Sequence, residues 1–316
     1  SRCHRIVVVE ELEPYLEEWV RYLGIECEGK SLIPRFGEID TGTVRSALLP
    51  GTDPSKAGEA VPEDVPVRPP VMCVGCPHRG MFNVLNRKKA FVAGDIGCYT
   101  LAVSPPLSAI HTTVCMGAGV SQAAGIEAVL PEEHGKVVAV IGDSTFLHSG
   151  MGGVLNMAYN EIPATVIILD NYTTAMTGRQ DHPGSGFDAN GNRTRQVDWE
   201  TLLRGLGVEH VRLVDAYDLE EIRNVLEEEI NRDSPSVIVV QGACMLLRNR
   251  PVKMHDPYRI DREVCTNCGM CLRVGCPAIS RKDGSPEEGP IIDETQCTGC
   301  DLCFQVCEFE AIGREG

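Results

Sequence analysis

Short apolar runs separated by polar breaks pattern the middle of this 316-residue chain. Val137–Ile141 and Thr165–Leu169 are β-branched and apolar at successive positions, as expected of strands buried on both faces. The first breaks at Gly142-Asp143-Ser144, after which helical spacing continues through Tyr159; the second ends at Asp170-Asn171. Phe91–Ala93, Val211–Val214 and Val237–Val240 are further candidate strands. Gly80–Arg87, Gly117–Leu130, Gly150–Tyr159, Trp199–Leu206 and Leu219–Asn231 are candidate helices. Strands alternating with helices predict an α/β fold with a mostly parallel sheet covered on both sides.

The flanks differ. Ile6–Val9 reads as a strand and Glu10–Leu23 as an amphipathic helix, too little to bury a core. Residues 1–49 are therefore expected to be the tail of a preceding α/β domain, completed by a longer polypeptide or a partner. Pro50, Pro54, Pro62, Pro66, Pro69 and Pro70 mark residues 50–70 as an extended linker. The α/β domain is expected over 71–254, with a lid or binding loop between Thr173 and Asp198. From 255 to 316 helical periodicity fades and cysteines crowd, which predicts a small domain held by something other than an apolar core.

Composition narrows the partners. A formal charge of −16 disfavours nucleic acid and anionic membrane surfaces. No apolar run reaches the roughly 18 residues needed to span a bilayer, and the opening residues lack the apolar core of a signal peptide. Of fifteen cysteines, eight fall between Cys265 and Cys307 in tight C-x-x-C units, which points to cluster ligation in a reducing cytoplasm rather than to disulfides.

Cys265-x2-Cys268-x2-Cys271-x4-Cys276-Pro277 is followed by Cys297-x2-Cys300-x2-Cys303-x3-Cys307. In such paired runs three thiolates wrap one cubane and the fourth reaches the other. Cys265, Cys268, Cys271 and Cys307 are thus assigned to one [4Fe–4S] cluster, and Cys297, Cys300, Cys303 and Cys276 to a second. Zinc knuckles are the alternative for four thiolates. Two departures from the bacterial ferredoxin pattern stand out: an extra residue before Cys276, and Glu308 where proline often follows the last cysteine.

In an open parallel sheet, ligands sit beyond the carboxyl ends of the strands. Asp143 and Asn171 are expected to face one crevice there, as hard oxygen ligands for a Mg²⁺–diphosphate, beside a helix start that supplies N–H groups. Gly-Asp-Ser followed one βαβ unit later by Asp-Asn resembles the diphosphate-binding motif of thiamine diphosphate (ThDP) enzymes; the plain reading is a helix-capping Asp and a turn-closing Asn. Cys73-Val74-Gly75-Cys76-Pro77-His78 opens the domain, Cys98 lies in GDIGCYT, and Cys244 follows a strand. All four cysteines can meet at the crevice edge.

CVGCPHRG, GDIGCYT, IGDSTFLHSG and LDNYTTAMTGRQDHPG, followed by the two cysteine runs, resemble the 2-oxoacid:ferredoxin oxidoreductases, and most of all the alpha subunits of the indolepyruvate branch. The resemblance covers Val71 to the end. It implies a ThDP-type α/β domain followed by a 2[4Fe–4S] ferredoxin-like domain. It implies Mg²⁺ on Asp143, Asn171 and the main-chain carbonyl of Thr173. ThDP contacts would come from Ile96, Gly97, Cys98, Tyr99, Gly142 and Ser144, and from Met116 and Gly117, which otherwise read as helix-start packing. A proximal [4Fe–4S] cluster on Cys73, Cys76, Cys98 and Cys244 is implied as well. Cys3, Cys27 and Cys115 fit no pattern and are read as structural.

His78 and His148 are candidate catalytic residues, and His182 a weaker one, for orienting a carboxylate or moving a proton; each is otherwise a polar residue satisfied by backbone. Arg179, Arg193 and Arg195 in the loop are candidates for a substrate carboxylate or a coenzyme A phosphate. The implied reaction is oxidative decarboxylation of a 2-oxoacid, an aryl pyruvate such as indolepyruvate, to an acyl-CoA, with electrons leaving through the clusters to ferredoxin. No glutamate sits in a motif able to activate the ThDP aminopyrimidine. A pyrimidine-binding domain or subunit is therefore expected, with a second, beta-type subunit in a hetero-oligomer. Two rivals stay open: an electron-transfer iron–sulfur module whose α/β domain no longer binds ThDP, and a non-oxidative ThDP decarboxylase.

Overall fold

The fold is seen in a computed structural model, which describes residues 3–49, 51, 65, 69–130, 132, 135–247, 255–281, 285 and 288–314. Most of the proline-rich 50–70 segment lies outside the described residues. The chain divides into two compact units, Ser1–Pro69 and Pro70–Gly316.

In the first unit the expected Ile6–Val9 strand is absent: Val7 makes a single parallel bridge to Glu28, with no further register to extend it. The expected Glu10–Leu23 helix is shorter, α1 (Tyr15–Tyr22), behind Pro14 at its N-cap. Leu12 has φ +57°, and the Glu10 carboxylate folds back to accept the N–H groups of Leu16 (2.7 Å) and Glu17 (2.9 Å). Glu10 thus caps the helix that it was expected to join. A second helix, α2 (Thr41–Leu48), was not expected; Asp40 caps it by accepting from Thr43 N–H at 2.7 Å.

The second unit begins with α3 (His78–Lys88) and β1 (Phe91–Gly94), then a 3-10 turn over Cys98–Val103 and α4 (Ala118–Val129). β2 (Val137–Gly142) runs directly into α5 (Asp143–Thr145), a π-helical turn (Phe146–Gly150) and α6 (Met151–Tyr159). β3 (Thr165–Asp170), α7 (Trp199–Gly205), β4 (His210–Asp215), α8 (Leu219–Glu229) and β5 (Ser236–Gln241) complete the sheet. Its order is β1-β2-β3-β5-β4, with every pairing parallel.

Alternation along each strand explains the three layers. Val138, Val140, Ile167, Leu169, Ile238 and Val240 pack on one face with α3 and α8. Val137, Ala139, Ile141, Val166, Ile168, Val237 and Val239 pack on the other with α4, α6 and α7. β2 and β3 are buried at all six positions, so neither strand can slip in register without losing both faces. The register aligns Gly142 with Leu169 and Asp170 with Gln241. The carboxyl ends of β1, β2, β3 and β5 therefore deliver Asp95, Asp143, Asn171 and Cys244 to the same end of the sheet.

The cysteine-rich segment holds β6 (Arg259–Ile260), β7 (Ile279–Arg281), β8 (Pro290–Ile292), α9 (Leu302–Gln305) and β9 (Ile312–Gly313). β6 pairs with β9 and β7 with β8, both antiparallel. It has a small apolar cluster of its own around Tyr258, Ile279 and Ile312, more than was expected. It is also not a separate body: Val274, Leu302 and Val306 join the core that α3 and α8 share. Among the described residues, no helix is long and apolar enough to cross a membrane.

Candidate cofactor cleft and cluster sites

A cleft of about 140 Å³ opens at the carboxyl end of the sheet. It is lined by Ile96, Gly97, Cys98, Tyr99, Met116, Gly142, Asp143, Ser144, Asn171 and Thr173, together with His78. Gly117 lies just behind this lining as the N-cap of α4, with φ +90°. A Cβ there would lie 2.5 Å from Ser149 Cβ, so the close approach and the positive φ both call for glycine.

Two residues shape the entrance. Asp95, wholly buried, accepts from Ile96 N–H (2.8 Å), Gly117 N–H (2.9 Å) and Gly119 N–H (3.0 Å). It fastens the GDIGC turn to the start of α4, a role the sequence reading did not assign. The Tyr99 hydroxyl donates to Ile96 O and accepts from Gly142 N–H, both at 3.0 Å. A Cβ on Gly142 would lie 2.8 Å from the Tyr99 ring, and one on Gly97 would collide with it. Both glycines thus let one ring bind two loops together.

Asp143 is 3% exposed. Its carboxylate accepts from Ser144 N–H (2.7 Å) and Asn171 N–H (3.1 Å), which locks it between the β2 and β3 ends. The Asn171 carboxamide accepts from Thr173 N–H (3.1 Å) and donates to His78 Nε2 (3.2 Å). Burial pushes the His78 imidazolium down to about 4, so the ring is neutral and accepts that hydrogen bond at physiological pH. Asp170 stands behind, held by Trp199 Nε1–H (2.7 Å) and Gln241 Nε2–H (3.0 Å). Burial, and then the Asp143 charge, push its carboxyl up to about 7. The Asp143 carboxylate and the Asn171 carboxamide, both on the cleft lining, are hard oxygen donors of the kind a divalent cation takes.

The histidines separate. His78 lines the cleft, whereas His148 is exposed, hydrogen-bonded to the Ser149 hydroxyl, and outside the lining. His182, rated below both, is buried: Nδ1 accepts from Gly184 N–H at 3.1 Å and Nε2 lies 3.2 Å from Asp143 Oδ2. Its loop position gave no sign of this. The lid contributes Thr174, Ala175, Met176 and Thr177 to the cleft wall, with Thr174 donating to the Ser144 hydroxyl at 2.8 Å. Arg179, Arg193 and Arg195 are exposed and outside it.

The twelve patterned cysteines fall into three groups. Cys265, Cys268, Cys271 and Cys307 line one small cavity. Cys276, Cys297, Cys300 and Cys303 line another. These are the two crossed sets that the spacing predicts. Among the described residues, no three His, Cys, Asp or Glu side chains converge on a single-ion site. Cys73, Cys76, Cys98 and Cys244 act on one another electrostatically. Cys244 N–H donates to Asn171 O at 3.1 Å, and Cys98 lines the cleft, so the third group adjoins it. Cys27 is half-buried, while Cys3 and Cys115 are exposed, which does not match the structural role expected of those two.

Comparison with known proteins supplies the family. A profile described as "Thiamine pyrophosphate enzyme, C-terminal TPP binding domain" matches residues 95–240, and one described as "4Fe-4S binding domain" matches 290–313. The indolepyruvate oxidoreductase subunit IorA of Archaeoglobus fulgidus is 36% identical over 99% of this chain and 52% of its own length. That of Pyrococcus horikoshii is 35% identical over 99% of this chain and 53% of its own. Over its own length, the chain belongs to the IorA family. It spans about half the length of these IorA relatives. The 2-oxoglutarate synthase subunit KorB of Archaeoglobus fulgidus is 26% identical over 56% of this chain and 70% of that one.

One glycine of this IorA-family chain ties two cysteine groups together. Gly75, in CVGC, has φ +66°, and a Cβ on it would collide with the hydroxyl of Thr298, between Cys297 and Cys300. Gly75 O also accepts from the Tyr217 hydroxyl at 2.8 Å. Gly75→Ala is expected to destabilise the chain by roughly 1–3 kcal/mol, from backbone strain and overpacking. Denaturant unfolding checks this, against Gly125→Ala in α4, where a Cβ meets nothing within 4 Å and a small gain is expected.

Proposed function

We propose that this chain is the ThDP- and cluster-bearing part of a CoA-acylating 2-oxoacid:ferredoxin oxidoreductase acting on an aryl pyruvate such as indolepyruvate. The balanced reaction is 2-oxoacid plus CoA plus two oxidised ferredoxins giving acyl-CoA, CO₂, a proton and two reduced ferredoxins. The carrying observation is the sorting of twelve cysteines, two sets of four around cavities and a third beside the cleft that Asp143 and Asn171 line. The aryl pyruvate rests on the names of the relatives alone.

In this reading Asp143, the Asn171 carboxamide and the Thr173 carbonyl hold Mg²⁺, and the helix that starts at Asp143 receives the diphosphate. ThDP, when bound, supplies the electron sink for loss of CO₂. His78, neutral and bonded to Asn171, holds that ligand in place, and Tyr99 fixes the walls on either side. Cys73, Cys76, Cys98 and Cys244 place an electron acceptor at the cleft rim; the other two groups carry electrons on toward ferredoxin.

No glutamate lies among the described residues lining the cleft. The carboxylate that activates the aminopyrimidine is therefore assigned to a pyrimidine-binding domain or subunit, in a hetero-oligomer with a beta-type subunit. α1 offers exposed Trp19 and Tyr22 to such a partner. The thiol-rich composition suits a reducing cytoplasm.

Iron and thiamine quantification on anaerobically purified chain tests the reading. Three cubanes require about twelve irons, four to each. About eight removes the proximal group; failure to retain ThDP with Mg²⁺ favours the electron-transfer module.

A further inference from the structure

Arg79 is the largest fully buried side chain of the molecule's described residues, at 2% exposure. A buried guanidinium requires both hydrogen-bond acceptors and counter-charge. The acceptors are main-chain carbonyls. Nε donates to Cys73 O at 3.1 Å and Nη2 to Met72 O, on one side. Nη1 donates to Gly275 O, and to Val274 O at 3.4 Å, on the other. Each of these carbonyls belongs to a cluster cysteine or lies within two residues of one. They satisfy the N–H groups but do not neutralise the charge.

The counter-charge falls to the cysteines once they hold their clusters: Arg79 bonds the Cys73 carbonyl on one side and the Gly275 carbonyl, next to Cys276, on the other. Burial is the largest influence on the guanidinium, followed by Cys76, Cys276, Cys300 and Cys73. Arg79 also lines the cavity of Cys276, Cys297, Cys300 and Cys303, while the cavity of Cys265, Cys268, Cys271 and Cys307 does not include it. The cation thus stands between two of the three cysteine groups.

Resting on the cluster reading above, we propose that Arg79 is a shared positioning counter-ion for the proximal cluster and the Cys276/Cys297/Cys300/Cys303 cluster, raising the reduction potential of both. A cubane with four thiolates is anionic and gains one further negative charge on accepting an electron. A fixed cation therefore favours the reduced form. Its fork also fixes the CVGC loop against the Gly275-Cys276 turn.

The test is a redox titration followed by electron paramagnetic resonance on the full chain, with iron and circular dichroism measured in parallel. Wild-type chain lacking about twelve irons would defeat the three-cluster reading before any variant is compared. With the irons present, Arg79→Gln is expected to lower two midpoint potentials and leave the third unchanged, and Arg79→Lys, which keeps the charge, to shift the same two by less than half as much. Loss of only those two clusters from Arg79→Gln, with retention in Arg79→Lys, also supports the proposal. Three unchanged midpoints, equal shifts in both variants, or equal iron loss or unfolding in both variants would overturn it.

Discussion

Asp143→Asn is expected to weaken ThDP–Mg²⁺ binding by at least about 100-fold while every cluster stays in place, a loss of about 2.7 kcal/mol in binding free energy. The substitution keeps the shape of the side chain and removes the charge that a hard cation needs. Asp143 has no room to be replaced by a neighbour: its two oxygens are fixed by Ser144 N–H and Asn171 N–H, and His182 closes its third side at 3.2 Å. The same variant is not expected to unfold the protein. Asp170 sits buried beside Asp143, and its carboxyl is pushed up to about 7 by burial first and by the Asp143 charge second. Holding Asp170 ionised therefore costs folding stability; the cost grows as pH rises from the ordinary value of 3.8 to about 7 and is constant above that. Asp143→Asn removes the like charge, so the cofactor-free variant should lose less stability over that pH window than wild type. Calorimetric titration of ThDP with Mg²⁺ and thermal melts at pH 5 and pH 7.5 check both parts. Binding within about threefold of wild type would remove Asp143 from the cation site.

The cleft was legible in the sequence because strand ends are. An apolar run that stops at Gly142-Asp143, and another at Asp170-Asn171, places the polar pairs at the carboxyl edge once the strands are parallel and in register. Cysteine spacing was legible for a similar reason: a C-x-x-C turn sets where thiols point, and the crossing of Cys276 and Cys307 follows from the repeat. What the sequence left open acts over long separations. Asp95, given no role, reaches Gly117 and Gly119 across more than twenty residues, and His182, the weaker histidine candidate, reaches Asp143 from a loop without periodicity. Their residue types fit many roles, and only the folded chain says which. His148 sits beside the same motif, but on the π turn at Phe146–Gly150, where it is exposed and outside the cleft lining. The first unit misled through capping: Glu10 has the helical spacing of α1 but closes the helix end instead of extending it.

Electron exit is where the remaining large effect is expected. Cys76→Ser or Cys244→Ser should lower iron from about twelve to about eight per chain, leave ThDP binding intact, and divert the assembled enzyme's product from acyl-CoA toward aldehyde by at least about tenfold. Cys76 is buried, and burial pushes its thiol up to about 12, so as a bare group it stays protonated; a metal core that shares the charge is what makes a thiolate tenable there. Cys244 is tied through its own N–H to Asn171 O, which places this cysteine group one hydrogen bond from the cleft. In the proposed reaction ThDP, when bound, would supply the electron sink for loss of CO₂, and the four cysteines would hold the acceptor for the two electrons that must leave before an acyl group can pass to CoA; without that acceptor, protonation to an aldehyde would be the outcome left. Product ratio therefore reads the role of these four cysteines separately from their effect on folding. Cys115→Ser supplies the control, since Cys115 is exposed and belongs to none of the three groups. An unchanged acyl-CoA yield from a Cys76→Ser enzyme holding about eight irons would show that electrons leave the cleft by a route other than these four cysteines.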